Sequence, residues 1–132
     1  MAVSMPFDID LRLTPNVRAP EAARRSLEAL RPSVDEGVVD EAILLVSELV
    51  TNSVRHAELG PDDTIAVRVL TKPTALRVEV ADPGPGFDPS AVGAPNEEGG
   101  WGLWLLDRIA TRWGTSDDDR AGVWFELDAV SR

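Results

Sequence analysis

The chain has 132 residues, 43% of them hydrophobic, which suits one domain, residues 1–132, built around a single core. Its formal net charge of −10 repels phosphate backbones and disfavours direct nucleic-acid binding, while the lack of cysteine excludes disulfides, thiolate catalysis and thiolate zinc sites. No stretch approaches the roughly 18 consecutive apolar residues of a membrane span and no signal peptide is evident, so we expect a cytoplasmic protein without a membrane partner.

The first half of the chain predicts one strand and two helices. Residues Phe7–Leu13 alternate between apolar and polar side chains, as in a half-buried strand. A helix is expected to begin near Pro20, whose ring suits a first turn, and to end at Arg31-Pro32. Asp35 is suited to cap the next helix, which the apolar period extends to about Ala57.

The second half predicts a hairpin, a long loop, a helix and two more strands. Alternating runs at Thr64–Thr71 and Ala75–Ala81 flank the turn Lys72-Pro73-Thr74. The segment from Asp82 to Gly100 is rich in Gly, Pro, Asp and Glu and has no apolar period, which is typical of a loop. The remaining expected elements are a helix from Trp101 to about Ala110 and strands at Arg112–Ser116 and Val123–Ala129.

A polar stripe runs along the second expected helix. Glu48, Asn52 and His56 follow at four-residue steps and therefore lie on one side of it, with Arg55 nearby. A carboxylate held there can accept a proton from a hydroxyl, and an asparagine oxygen is a hard ligand suited to Mg²⁺. The alternative is an ordinary solvated helix face.

The turn Asp82-Pro83-Gly84-Pro85-Gly86 ends the hairpin on a path that proline and glycine define sharply. Because Gly84 and Gly86 lack Cβ atoms, a flat ring can lie against the main chain there. The Asp82 carboxylate can accept a hydrogen bond from an exocyclic amine such as that of adenine. A simple turn explains the same residues.

A second glycine-rich stretch, Gly99-Gly100-Trp101-Gly102-Leu103, opens the third expected helix. Free backbone N–H groups and the helix dipole attract anions such as phosphates at such a position. The glycines would also let the preceding segment, 87–99, swing as a lid. A flexible joint is the alternative.

In this order, with a hairpin between the first two, the polar stripe, the DPGPG turn and the GGWGL helix start resemble the asparagine and glycine boxes of the ATP-binding superfamily shared by histidine kinases, gyrases and Hsp90-type chaperones. The short chain, the stretch ELVTNSVRHA and the ending VWFEL most resemble its bacterial anti-sigma factor serine-kinase branch. This resemblance implies an α+β fold of the histidine-kinase-like ATPase (Bergerat) type. That fold is a two-layer α/β sandwich with a mixed, mainly antiparallel sheet, helices on one face, and ATP between the helices and a lid.

The same resemblance implies a role for each matched residue. Glu48 would be the general base, Asn52 the Mg²⁺ ligand and Asp82 the reader of adenine. The remaining cofactor-binding residues would be Gly84 and Gly86 beneath the ring, Gly100, Gly102 and Leu103 beside the phosphates, and Arg55 and His56 as candidates for phosphate or ribose contacts.

The sequence departs from the family pattern at several positions. Ser53 stands where the family usually has alanine, a small change that is expected to be tolerated beside the core. Val123 stands where relatives often have a threonine, and its side chain cannot donate a hydrogen bond, so lower nucleotide affinity is expected. Trp101 and Trp104 share a helix face, where they either pack in the core or form part of a partner or dimer surface.

The resemblance implies an ATP- and Mg²⁺-dependent regulator that binds a sigma factor and phosphorylates a serine of an antagonist protein. It also allows a homodimer, since relatives often dimerise. Two alternatives stay open: a module that binds ATP and sequesters a protein partner without phosphoryl transfer, and a structural interaction domain that binds no nucleotide.

Overall fold

The structure of the protein, a computed structural model, describes residues 8–56, 59–83, 101–117 and 121–128. Within these ranges the elements are β1 Ile9–Leu13, α1 Ala19–Glu28, α2 Glu36–His56, β2 Ile65–Thr71, β3 Ala75–Asp82, α3 Trp101–Ile109, β4 Arg112–Asp117 and β5 Ala121–Asp128. Their type and order agree with the expectation from the sequence. Phe7, Ala129 and most of the expected loop lie outside the described residues.

The five described strands form one sheet in the order β1-β2-β3-β5-β4. Every neighbouring pair among them is antiparallel, so the described strands contain none of the parallel pairs that a mixed sheet would have. The register sets Val69 opposite Val78 and Val80 opposite Val123. Apolar side chains of three adjacent strands therefore lie on the same face.

The core lies between that face of the sheet and the helices. The alternation expected for β1 is observed, with Leu11 opposite Val67 and Leu13 opposite Ile65. The helices cover the sheet with the apolar stripes that the sequence predicts. The buried residues of the two layers include Ala23, Leu27, Leu45, Val46, Leu49, Val50, Val67, Val69, Val78, Val80, Leu106, Val123, Phe125 and Leu127. This arrangement is the expected two-layer sandwich.

The start of α2 is fixed by side chains on both sides. Asp35 caps the helix as expected, because its Oδ2 accepts hydrogen bonds from the backbone N–H groups of Gly37 at 3.1 Å and Val38 at 3.3 Å. Arg31 bonds Glu28 of α1 at 2.6 Å and Asp40 of α2 at 2.8 Å. The two helices are thus joined at the end of α2 opposite the polar stripe.

The other face of the sheet carries a cluster of charged residues centred on Glu126. This carboxylate accepts hydrogen bonds from Lys72 at 2.8 Å, Arg77 at 3.1 Å and Arg112 at 3.0 Å. The bond from Lys72, followed by those from the two arginines, lowers the pKa of Glu126 from its ordinary value of 4.5 to about 2. The Arg77 guanidinium carbon also lies 4.3 Å from the ring centroid of Trp124.

No helix in the described ranges is both long enough and apolar enough to cross a membrane.

Candidate functional site

The polar stripe lies at the edge of the buried face of α2. Leu49 and Val50 are fully buried, whereas Glu48 and Asn52 are half-buried. Neither Glu48 nor Asn52 forms a side-chain hydrogen bond or an ion pair within the part of the chain that the structure describes. Their oxygen atoms are therefore not committed to neighbouring described side chains, and one turn of helix separates the two groups.

Asp82 is the last residue of β3, and its side chain faces the helix layer. It is 3% exposed, and its Oδ2 accepts a hydrogen bond of 2.6 Å from the hydroxyl of Ser53, which is 2% exposed. A buried carboxylate needs such donors, because leaving it unpaired away from water is strongly unfavourable. The bond joins the last turn of α2 to the end of β3.

This bond connects the helix that carries the polar stripe with the first residue of the DPGPG turn. Asn52 immediately precedes Ser53, and Pro83, the second residue of the DPGPG turn, immediately follows Asp82. Asp82, which is predicted to read adenine, is therefore bonded to the residue that follows Asn52, the predicted Mg²⁺ ligand. The sequence predicts only a tolerated change at Ser53 and not this bond, although the place of Ser53 one turn after Leu49 on the buried face indicates a hydroxyl in need of a partner.

The structure describes only some of the remaining predicted site residues. Arg55 is exposed on α2, and His56 ends that helix with its side chain outside the description. Gly102 lies in the first turn of α3, where the sequence places it, and its contact with phosphates stays a prediction. Three predicted site residues lie outside the described residues, namely Gly84, Gly86 and Gly100. The side chain of Leu103 lies outside the description as well.

Helix α3 is anchored to the core through Leu106, which is fully buried. Trp104 is half-buried, and the guanidinium carbon of Arg108 lies 4.9 Å from its ring centroid. The Trp104 ring therefore lies between the two possibilities considered from the sequence. It is neither fully packed in the core nor fully exposed as a partner surface, and it stacks on a cation. The side chain of Trp101 lies outside the description.

Val123 belongs to the hydrophobic core and pairs with Val80 on β3. Its methyl groups fill space between the sheet and the helices. Asp82 lies two residues beyond Val80, on the same face of the same strand. An apolar side chain therefore lies on the strand next to β3, close to the end of β3 that carries Asp82.

The donors on α2 fit a magnesium ion that is held mainly by phosphates. Among the described residues, no group of three or more His, Cys, Asp or Glu side chains is arranged to hold a metal by itself. Mg²⁺ commonly keeps several waters and takes only one or two protein oxygens together with substrate phosphates. The Asn52 amide oxygen, with Glu48 one turn away, supplies a donor set of that kind.

The chain is similar to known proteins in both sequence and structure. The family model described as histidine kinase-like ATPase domain matches residues 13–125. The serine-protein kinase RsbW of Listeria monocytogenes serotype 4a (strain HCC23) is 35% identical over 94 residues, which cover 61% of this chain and 60% of the relative. RsbW of serovar 1/2a (strain ATCC BAA-679 / EGD-e) is 34% identical over the same share. The match spans less than two thirds of the length of these relatives.

Solved structures of histidine kinases share the fold. The catalytic domain of histidine kinase ThkA, in a nucleotide-free form, superposes with a TM-score of 0.55 at 14% identity, covering 92% of this chain and 98% of that one. The mycobacterial sensor histidine kinase MprB gives 0.54 at 16% identity, covering 94% and 99%. These likenesses confirm the expected α+β sandwich, and the serine-kinase relatives confirm the resemblance stated from the sequence. Because the family model matches nearly the whole length, the chain belongs to the family of histidine kinase-like ATPase domains.

Proposed function

We propose that the protein is an ATP- and Mg²⁺-dependent anti-sigma regulator that phosphorylates a serine of an antagonist protein. One observation carries the proposal. The half-buried Glu48 and Asn52 lie on α2, and Ser53, which directly follows Asn52, donates a hydrogen bond to the buried carboxylate of Asp82. The family model and the relatives named as serine-protein kinases support the same activity.

Asp82 would select adenine. Its carboxylate only accepts hydrogen bonds, so it can pair with the exocyclic amine of adenine, whereas the carbonyl at the same position of guanine would face it without a donor. Leaving a buried polar group unpaired costs about 1–3 kcal/mol. That penalty corresponds to a preference for ATP over GTP of about fivefold to 150-fold.

Phosphate binding needs local compensation, because the chain has a net charge of −10. Asn52 would hold Mg²⁺ through its amide oxygen, and the bound ion would neutralise negative charge on the phosphates. The backbone N–H groups in the first turn of α3 have no partner within the helix and can point at the phosphates. Exposed Arg55, three residues from Asn52, is a further cation on this part of α2.

Glu48 would act as the general base. Its carboxylate would accept the proton of the substrate serine hydroxyl as that oxygen bonds to the γ-phosphorus and the bond from the phosphorus to ADP breaks. Most of the rate enhancement would come from alignment of the serine and the phosphate. A half-buried carboxylate at the edge of a helix suits this role, because it is held in place while a protein substrate can still reach it.

The variant Glu48→Gln tests the proposal. We expect its dissociation constant for ATP, measured by calorimetry, to stay within about twofold of the original. Its transfer of radiolabelled phosphate to the antagonist protein should fall by about 100-fold or more. Glu41→Gln is the matched control, because Glu41 is an exposed glutamate two turns earlier on the same helix. Undiminished labelling by Glu48→Gln would remove Glu48 from the role.

The apolar side chain of Val123 beside Asp82 favours a second candidate function, which is ATP-dependent sequestration of a partner without phosphoryl transfer. The same assays separate the two functions. ATP binding by the unaltered protein, with tighter capture of the sigma factor and no label on the antagonist, would establish sequestration. Absence of any heat with ATP and magnesium would refute both functions.

A further inference from the structure

The hydrogen bond between Ser53 and Asp82 is short and buried, and it therefore restrains the orientation of the Asp82 carboxylate. Its length, 2.6 Å, is in the range of charge-assisted O–H···O⁻ bonds, which are about twice as strong as neutral ones. Both partners are almost fully buried. The donor is attached to a helix interior through a side chain with a single torsion between Cα and the hydroxyl oxygen, so it has little freedom to follow the carboxylate if that group turns.

The consequence for Asp82 follows from the planarity of a carboxylate. The torsion between Cβ and the carboxylate carbon of aspartate is otherwise broad, so the directions of the two oxygens are weakly defined. When Oδ2 is held by the Ser53 hydroxyl, the plane of the group is set, and the lone pairs of both oxygens take fixed directions. A carboxylate offers about four lone-pair sites, and the bond from Ser53 occupies one of them.

We propose that Ser53 is a positioning residue that fixes the Asp82 carboxylate for recognition of the six-amino group of adenine, and thereby contributes to base selectivity. This inference rests on the proposed nucleotide-binding function. It assigns a role to a hydroxyl that the family resemblance leaves as a minor departure. Fixing an acceptor before the ligand arrives reduces the conformational entropy that binding must remove.

The same contact relates the two ends of the nucleotide. Ser53 follows Asn52 directly on α2, so the helix that would hold the metal also fixes the group that would read the base. A rotation of the carboxylate would shift the base relative to the phosphates. The Ser53 hydroxyl therefore sets the adenine end and the phosphate end of the site in one rigid frame.

Ser53→Ala tests the inference with two ligands, ATP and purine riboside triphosphate, the ATP analogue with hydrogen in place of the six-amino group. The measured quantity is the ratio of the two dissociation constants from calorimetry in the presence of magnesium. We expect the unaltered protein to prefer ATP and the variant to lose about fivefold of that preference, with affinity for the analogue changed by less than about twofold. Ser53→Thr, which keeps the hydroxyl, should retain the preference.

Ser47→Ala is the matched control. The Ser47 hydroxyl lies on the same helix and donates to the backbone carbonyl of Ile43 at 2.6 Å, so its loss removes a serine hydrogen bond of equal length away from Asp82. This control should leave the ratio unchanged. A lower melting temperature for Ser53→Ala without nucleotide is expected from either role and does not distinguish them, whereas the ratio responds only to a change at the base.

A double-mutant cycle checks that Ser53 acts through the carboxylate. In protein that already carries Asp82→Asn, adding Ser53→Ala should change the ratio by less than about twofold, because no carboxylate remains to be positioned. An unchanged ratio in Ser53→Ala, with normal ATP binding by the unaltered protein, would overturn this inference alone. If the unaltered protein binds neither ligand, the proposed function fails and the inference fails with it.

Discussion

Glu126 allows a quantitative test of how much the charged cluster, on the face of the sheet opposite the helices, contributes to the stability of the fold. Replacing it by glutamine removes a carboxylate that is 7% exposed and keeps the size of the side chain. Three cations would then surround a neutral amide, namely Lys72, Arg77 and Arg112. The variant should therefore measure what one negative charge contributes to the stability of this cluster.

The magnitude follows from the exposure of the three partners. The side chains of Lys72 and Arg112 are 40% and 48% exposed, so solvent screens them. Each of these pairs should contribute about 0.5 kcal/mol. Arg77 is 24% exposed and stacks on Trp124, so its charge-assisted bond should contribute about 1 kcal/mol. We expect Glu126→Gln to lose about 2 kcal/mol of unfolding free energy and about 6–10 °C in melting temperature.

The loss should depend on pH with a defined sign. The pKa of Glu126 is lowered from 4.5 to about 2 in the folded protein, chiefly by the bond from Lys72. Its contribution is therefore fully present above the unfolded pKa of 4.5 and is lost as the pH falls towards 2, because the unfolded chain takes up a proton that the folded protein does not. The difference between the original and the variant should stay constant from about pH 7 to 5 and shrink below that.

Urea unfolding of both proteins at several pH values measures this difference. Glu79→Gln is the control, because Glu79 lies on the same face, is 30% exposed and pairs with Arg77 at 3.0 Å. Its loss should be about 0.5 kcal/mol. Equal losses in the two variants at neutral pH, or a loss in Glu126→Gln that persists undiminished in acid, would refute the reasoning.

Two further substitutions test packing, both by urea unfolding. A Cβ at Gly114 would lie 3.0 Å from the ring of Trp124, so Gly114→Ala should cost about 1–3 kcal/mol of unfolding free energy. A Cβ at Gly60 would lie 3.6 Å from its nearest neighbour, so Gly60→Ala should change that free energy by less than about 0.5 kcal/mol. Leu45→Ala should cost about 2–5 kcal/mol because Leu45 is fully buried, and Leu44→Ala, at the exposed neighbouring position, should cost far less. Equal losses within either pair would contradict the described packing.

Elements with one buried face, such as β1 and α2, were predictable because that face gives the sequence a clear period. In β1 the alternation of Ile9, Leu11 and Leu13 with polar residues fixes which side meets the core, since a shift by one residue would bury the charges. In α2 the apolar period persists over most of 21 residues, and Asp35 caps its start. Local pattern was sufficient for these elements because local and tertiary preferences agree.

The contacts that define the site and the charged cluster could not be predicted from local pattern. The residues that bond Glu126 lie 14 to 54 positions away in sequence, and only the strand order β3-β5-β4 brings them to one carboxylate. Alternation places Glu126 on the face opposite Phe125 without indicating any partner. The pairing of Ser53 with Asp82 likewise spans 29 positions.

Ser53 and Asp82 are each unfavourable on the buried side when considered alone. A hydroxyl on the apolar stripe of α2 needs a hydrogen-bond partner, and a buried carboxylate at the end of β3 needs donors. The hydroxyl of Ser53 donates to the carboxylate of Asp82, so one hydrogen bond at the boundary between the core and the candidate site serves both groups. Because the packing of α2 on β3 brings the two groups together, a change that shifts the helix on the sheet should alter base recognition even where it touches no predicted ligand residue. The geometry of the site is in this sense a property of the core.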